Sequence, residues 1–132
     1  MPEIASAQRP ILIVDDDFDI REALSDTLED RGFTVITAAN GREALKLLRE
    51  MSVPPSVILL DLMMPVMDGY AFLNEQQKDP ALAGLPVAII TAGHGIDHSR
   101  LGDSPPILPK PIKLPQLLST LQKLRESSGV SP

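Results

Sequence analysis

The chain contains no cysteine among its 132 residues. That excludes disulfides and thiolate metal sites and fits a cytoplasmic setting. No apolar run approaches the ~20 residues that a membrane-spanning helix needs. The N-terminus lacks a basic segment followed by an apolar stretch, so no signal peptide is read there. Basic residues are few: 12 Lys and Arg stand against 18 Asp and Glu, for a net charge of -6. Nucleic-acid phosphates need clustered Lys and Arg, so direct nucleic-acid binding is not expected. There is no internal repeat and no low-complexity segment. What is present is ordinary for a globular protein, with 43% hydrophobic and 23% charged residues and length enough for one domain with a real core.

The most informative stretch is Val57-Ile58-Leu59-Leu60, which runs straight into Asp61. A short apolar run before a turn reads as a strand buried on both faces, with Asp61 the first residue off its end. Pro65 and the Asp68-Gly69 pair mark a loop, and Asp68 is placed to cap the helix that follows. Ile11-Leu12-Ile13-Val14 is a second such run and ends in Asp15-Asp16-Asp17. Apolar periodicity predicts helices over 18–31, 41–51, 70–78 and 114–125. Further strands are predicted over 33–38, 87–91 and 107–108. Gly32 stops the first helix and Asn40 caps the second. Residues 1–8 and 127–132 read as tails, and 9–126 as the domain.

Strands alternating with helices imply an α/β protein whose parallel sheet is covered on both faces. Right-handed crossovers then bring every strand's carboxyl end to one edge, where ligands gather in such sheets. Asp15, Asp16, Asp17, Asp61, Thr91 and Lys110 all fall on that edge. A lone Asp there is most simply a solvated turn residue or a helix cap. Carboxylates, a hydroxyl and an ammonium arriving from four strand ends point to chemistry instead. Crowded carboxylates need a counter-charge, which Mg²⁺ supplies through oxygen ligands. A carboxylate beside such an ion can attack a phosphoryl group, whose oxygens metal, ammonium and hydroxyl can share. No Ser is placed with a His as a nucleophile pair, so phosphoryl transfer to an Asp fits better than a hydrolytic triad. His94 and His98 lie in Gly-rich sequence and read as plain loop residues.

These motifs resemble the receiver domain of two-component response regulators. The resemblance rests on Ile11-Leu12-Ile13-Val14-Asp15-Asp16-Asp17, on Leu60-Asp61-Leu62-Met63-Met64-Pro65-Val66-Met67-Asp68-Gly69, on Ile89-Ile90-Thr91-Ala92 and on Lys110-Pro111. It covers roughly residues 9–126 and implies a flavodoxin-like, doubly wound (βα)5 fold with a five-stranded parallel sheet of order 2-1-3-4-5. It implies that Asp61 is the residue phosphorylated. Asp16 would be the main Mg²⁺-binding acid with Asp15 beside it, and Asp61 and the Met63 backbone carbonyl would complete the protein ligands. Thr91 would hydrogen-bond one phosphoryl oxygen and Lys110 would pair with another. The Lys110–Pro111 bond would be cis, Asp17 would cap the first helix, and Met63 and Met67 would pack the loop. The implied phosphoryl donor is a sensor histidine kinase or phosphotransfer protein, and the receiver catalyses only its own phosphorylation and dephosphorylation. A downstream protein and a second copy of the chain are the further partners implied. No output domain follows the last helix, so the chain reads as a stand-alone receiver or a piece of a longer regulator or hybrid kinase.

Two features depart from the family pattern. The position three before the lysine, usually aromatic and coupled to the threonine in activation, is Ile107. Between Thr91 and Lys110, Gly93, Gly95, Gly102, Pro105, Pro106 and Pro109 leave room for no more than a short turn over 96–101 in place of the fourth helix. The fourth helix, fifth strand and fifth helix are the usual output and dimer face, so another surface or an ordering of that loop is expected to carry the signal. Gly93, two residues after Thr91, leaves the water's approach to the phosphoryl group open, while Met63 partly covers it. Two other readings fit parts of the sequence. A haloacid-dehalogenase-type phosphatase would use Asp15 as nucleophile and Asp17 as general acid, but leaves Asp61 unexplained and lacks a cap domain. A receiver-fold binding module without phosphorylation would find its support in the unusual loop alone.

Overall fold

The computed structural model describes residues 9–92, 94–102 and 105–128. Five strands alternate with four helices: β1 (Ile11–Val14), α1 (Phe18–Asp30), β2 (Val35–Ala38), α2 (Gly41–Glu50), β3 (Val57–Asp61), α3 (Gly69–Lys78), β4 (Val87–Thr91), β5 (Ile107–Pro109) and α4 (Leu114–Ser128). All strand pairs are parallel and the order is β2-β1-β3-β4-β5, as the resemblance implied. β1 and β3 are buried along their whole length, which is why they read as unbroken apolar runs.

Strand alternation divides the core in two. Leu12, Val14, Ile58, Leu60 and Ile89 face α2 and α3, where Ala44, Leu45, Leu48, Phe72 and Leu73 pack on them. Ile11, Ile13, Leu59, Ala88 and Ile90 face α1 and α4 and meet Leu24, Leu28, Leu117 and Leu121. Every apolar residue in β1 and β3 is thus used, on one face or the other. The helix starts are fixed by side-chain caps. Asp17 accepts the Asp19 and Ile20 amides, Asn40 accepts Glu43 N–H, and Asp68 accepts Ala71 N–H.

Where the boundaries differ from the sequence reading, local hydrogen bonds explain it. Asp61 is the last residue of β3, not the first beyond it, because it pairs in register with Ile90. β2 starts at Val35, since Phe33 N–H is spent on Leu28 O, closing α1 behind Gly32. α4 runs three residues past the expected end, to Ser128. Ser127 and Ser128, expected to begin a tail over 127–132, continue α4 instead, and the rest of that tail and the expected tail at 1–8 lie outside the described residues.

No α-helix covers the crossover from β4 to β5 among the described residues; its one regular piece is a 3₁₀ turn at His98–Arg100. Gly95 and Gly102 flank it with φ of +73° and +72°, the left-handed region that favours glycine and ends helical growth. Leu101 takes over part of the missing helix's role by burying itself in the α2–α3 side of the core.

Gly69 fixes how closely α3 approaches the sheet. A Cβ there would lie 2.5 Å from the Asp61 carbonyl oxygen and 2.8 Å from Leu62 Cα, both backbone atoms that cannot turn aside. Gly69→Ala is therefore expected to lower stability by about 2 kcal/mol despite the better helix propensity of alanine. Gly84→Ala, whose Cβ would meet nothing within 4 Å, should stay within about 0.5 kcal/mol of the parent. Urea unfolding of the two variants checks this, and equal midpoints would contradict it.

Candidate functional site

Four strand ends meet at the carboxyl edge of the sheet. Asp15 follows β1 and is fully buried; its Oδ1 accepts Asp17 N–H at 2.9 Å. Asp16, next to it, is exposed. Asp61 ends β3, is almost fully buried, and accepts Met63 N–H at 3.3 Å. One carboxylate oxygen from each of Asp15, Asp16 and Asp61 lies within 4.8 Å of the others. Lys110 follows β5, with Nζ 2.8 Å from Asp15 Oδ2 and 3.5 Å from Asp61 Oδ2. Its backbone N–H donates to Thr91 O at 2.7 Å, which ties the lysine to the end of β4. Thr91 is buried and lies one residue beyond the Ile90 that pairs with Asp61. The Lys110–Pro111 bond is cis, as the resemblance implied.

The electrostatics follow from this crowding. Burial, and then the neighbouring charge of Asp15, push the Asp61 carboxyl from 3.8 up to about 6. The Lys110 ammonium and the Met63 amide pull the other way and do not compensate. For Lys110, burial alone would lower the pKa. The hydrogen bond and charge of Asp15, with the charge of Asp61, outweigh it and leave the ammonium above its ordinary value. Two buried carboxylates thus share one ammonium, with a third carboxylate in the open beside them. A donor set of three carboxylates with this charge imbalance fits a hard divalent cation.

Most of the residues singled out in the sequence arrive together: Asp15, Asp16, Asp61, Lys110 and the backbone of Met63, with Thr91 at the adjoining strand end. Asp17 does not join them, because its carboxylate is committed to capping α1. The Met63 side chain does not pack the loop as expected. It is 71% exposed, whereas its neighbours Leu62 and Met64 turn into the core. Met67 does pack against that core. His94 and His98 do not share a helix, and only His98 falls in the 3₁₀ turn. Gly93, expected to leave the approach open, lies outside the described residues. Two residues were missed. Arg21 Nη1 donates to the Asp15 carbonyl at 2.7 Å, holding the acidic turn from the first turns of α1. Tyr70 Oη accepts Asp97 N–H at 2.8 Å, joining α3 to the β4–β5 crossover. Nothing in the spacing of either residue announces a long-range contact.

The raised Asp61 pKa carries a stability consequence with a definite sign. Between about pH 4 and 6 the folded form holds a proton at Asp61 that the unfolded chain gives up, so metal-free stability falls as pH rises through that window. Two units correspond to roughly 3 kcal/mol at full burial, and the open rim reduces the expectation to about 2 kcal/mol. Asp61→Asn should accordingly be more stable than the parent at pH 7.5 without metal, with the advantage vanishing near pH 4. Thermal melts at both pH values check this; an Asn variant less stable at pH 7.5 would contradict it.

Comparison with known proteins agrees with this geometry. The sequence model of the response regulator receiver domain matches residues 11–122. A transcriptional regulatory protein, the CpxR homolog of Haemophilus influenzae, is 40% identical over 126 residues, covering 92% of this chain and 52% of that protein. The response regulator MprA of Mycolicibacterium vanbaalenii is 35% identical over 117 residues, covering 86% of this chain and 49% of its own length. The chain spans about half the length, or less, of the curated relatives it matches. Among solved structures, the chemotaxis protein CheY4 of Vibrio cholerae superposes with a TM-score of 0.79 at 34% identity, covering 89% of this chain and 99% of that one. The receiver domain of a histidine kinase from Syntrophus aciditrophicus gives a TM-score of 0.81 at 31% identity, covering 94% and 95%. With the sheet order, the acidic edge and a family match over most of its length, this chain belongs to the receiver domains of two-component response regulators.

Proposed function

We propose that Asp61 accepts a phosphoryl group from a phosphohistidine on a sensor histidine kinase or a phosphotransfer protein. The observation that carries this reading is the meeting of Asp15, Asp16 and Asp61 within 4.8 Å, with the Lys110 ammonium between two of them. Asp15, Asp16, Asp61 and the Met63 carbonyl would hold a Mg²⁺ ion. When bound, that ion supplies the positive charge that lets three carboxylates stay ionised together and offsets the charge of the incoming group.

In the transfer, an Asp61 carboxylate oxygen attacks phosphorus and the phosphorus–nitrogen bond of the donor breaks. The electron pair of that bond stays on the imidazole, which takes a proton from solvent, and Asp61 becomes an acyl phosphate. Lys110 lies 3.5 Å from Asp61 Oδ2 and is positioned to shift from Asp15 toward a phosphoryl oxygen. The Thr91 hydroxyl donates to another. Later hydrolysis returns the carboxylate, so the chain turns over its own phosphoryl group and no external substrate. The phosphorylated form is read by a partner protein in the cytoplasm.

The dehalogenase-type alternative loses its support at Asp17. A general acid needs a free carboxyl, and this one accepts the Asp19 amide at 2.9 Å and the Ile20 amide at 3.2 Å. Asp15, its nucleophile, is fully buried and engaged at both oxygens.

Intact mass after incubation with acetyl phosphate and Mg²⁺ tests the proposal. The parent chain should gain one phosphoryl group, Asp61→Asn none, and chelation of the metal should slow uptake by about 100-fold or more. Uptake that survives in Asp61→Asn and is lost in Asp15→Asn would overturn it in favour of the dehalogenase-type reading.

A further inference from the structure

We propose that copies of this chain join head to tail, the basic row on α2 of one copy meeting the acidic row on α1 of the next. The inference makes no use of the reading of Asp61. It rests on the exposed charges of two helices.

The acidic row runs the length of α1. Asp19, Glu22, Asp26 and Glu29 recur at helical spacing, which puts them on one side of the helix, and all four are exposed. None has an ion pair among the described residues. Arg21 is the one cation within α1, and it is committed elsewhere. Its guanidinium donates to the Asp15 carbonyl at 2.7 Å and lies over the Phe18 ring. The last turn of α1 holds no basic residue and ends in Glu29 and Asp30, where the helix dipole is already negative.

α2 carries the reverse. Arg42, Lys46 and Arg49 recur at helical spacing and are exposed. With Leu45 and Met67 they line a groove of about 370 Å³. Two acids share that groove, Glu50 at the end of α2 and Glu75 of α3, whose carboxylate lies 3.6 Å from Lys78 Nζ. Glu43 is turned back along the chain, where it accepts Ala39 N–H at 3.0 Å. Arg49 Nε lies 3.4 Å from Asp79 Oδ2, but Arg42 and Lys46 have no ion pair among the described residues. Arg42 stands in the first turn of α2, where the helix dipole is positive, and one turn from the like charge of Lys46.

Each row therefore weakens its own helix, and each is the counterpart of the other. With the two helices antiparallel, Arg42 falls opposite Glu29, Lys46 beside Asp26 and Arg49 opposite Glu22. The α2 row, about 10 Å long, fits within the α1 row of about 15 Å. The two cannot meet inside one molecule. α1 packs Leu24 and Leu28 on one face of the sheet, and α2 packs Ala44, Leu45 and Leu48 on the other. The contact is thus between copies and joins two different patches. One row stays free at each end, so assembly continues past a dimer. A second copy is the occupant because the chain itself carries the complementary row at matching spacing. The net charge of -6 opposes the approach of two copies, which keeps the association weak and dependent on the rows.

Sedimentation velocity of the full chain at rising concentration tests this. The mean mass of the parent should climb past that of a dimer as the concentration reaches the millimolar range. Arg42→Glu with Lys46→Glu, and separately Glu22→Lys with Asp26→Lys, should each stay monomeric, with Kd raised about tenfold or more. An equimolar mixture of these two variants should associate again, since each offers the row that the other has reversed. Each pair of reversals shifts the net charge of -6 by four, so both variants stay negative and overall attraction cannot produce that recovery. Urea midpoints close to the parent's are expected for both, because all four positions are exposed, and they separate loss of association from loss of folding. A parent that stays monomeric, variants that associate as the parent does, or a mixture that fails to recover would each overturn the proposal. A monomeric parent whose α2 amides shift on addition of polyglutamate would overturn it in favour of a different, acidic protein on α2.

Discussion

Two carboxylates buried within reach of one ammonium are the constraint on which the rest of this molecule depends. Asp15 and Asp61 lie on adjacent central strands, and Lys110 is the one cation paired with the cluster among the described residues. Water screens the repulsion poorly at that depth, so burial and the Asp15 charge make Asp61 harder to ionise. The fold maintains this arrangement by spending its most rigid elements on it. β1 and β3 are fully buried apolar runs, their side chains divided between two cores, and neither strand can shift by one residue without inverting both cores. The carboxylates are thus held where they are by dispersion and hydrophobic burial, against their own electrostatics.

The same constraint explains the parts around the site. Arg21 and the Asp17 amide hold the turn that carries Asp15, and the Thr91 carbonyl holds the backbone of Lys110. Gly69 lets α3 lie against the end of β3, with no room for a Cβ between the helix start and the Asp61 carbonyl. Such an under-neutralised cluster of three carboxylates could hold a metal ion. It also has short mechanical connections to α3 and to the end of β4.

Much of this was legible in the sequence because the responsible signals are local. Unbroken apolar runs ending in Asp give buried strands with carboxylates at their ends, and Asp17, Asn40 and Asp68 each sit where a cap is needed. The fold order came from the family motifs, and the parallel register then followed from the strands themselves. The crossover's lack of a full helix was also readable, since Gly95, Gly102 and the proline pair oppose helix growth locally. What was not legible depends on distant contacts. Met63 and Met67 are the same residue type on one loop, and only the loop's path decides that Met67 packs while Met63 stays in solvent. The bond from Asp97 to Tyr70 spans 27 residues of sequence, and no periodicity or spacing marks it. That Lys110 rests closer to Asp15 than to Asp61 is likewise a property of the packed site.

The most direct test of the central claim is the titration of the Asp61 carboxyl carbon by NMR, without and with Mg²⁺. The account predicts a midpoint near pH 6 without metal, set by burial and by Asp15, and a clear fall when the ion is added. A midpoint at the ordinary value of 3.8, unmoved by Mg²⁺, would show that the carboxylates are not crowded as described, and the account would fail at its foundation.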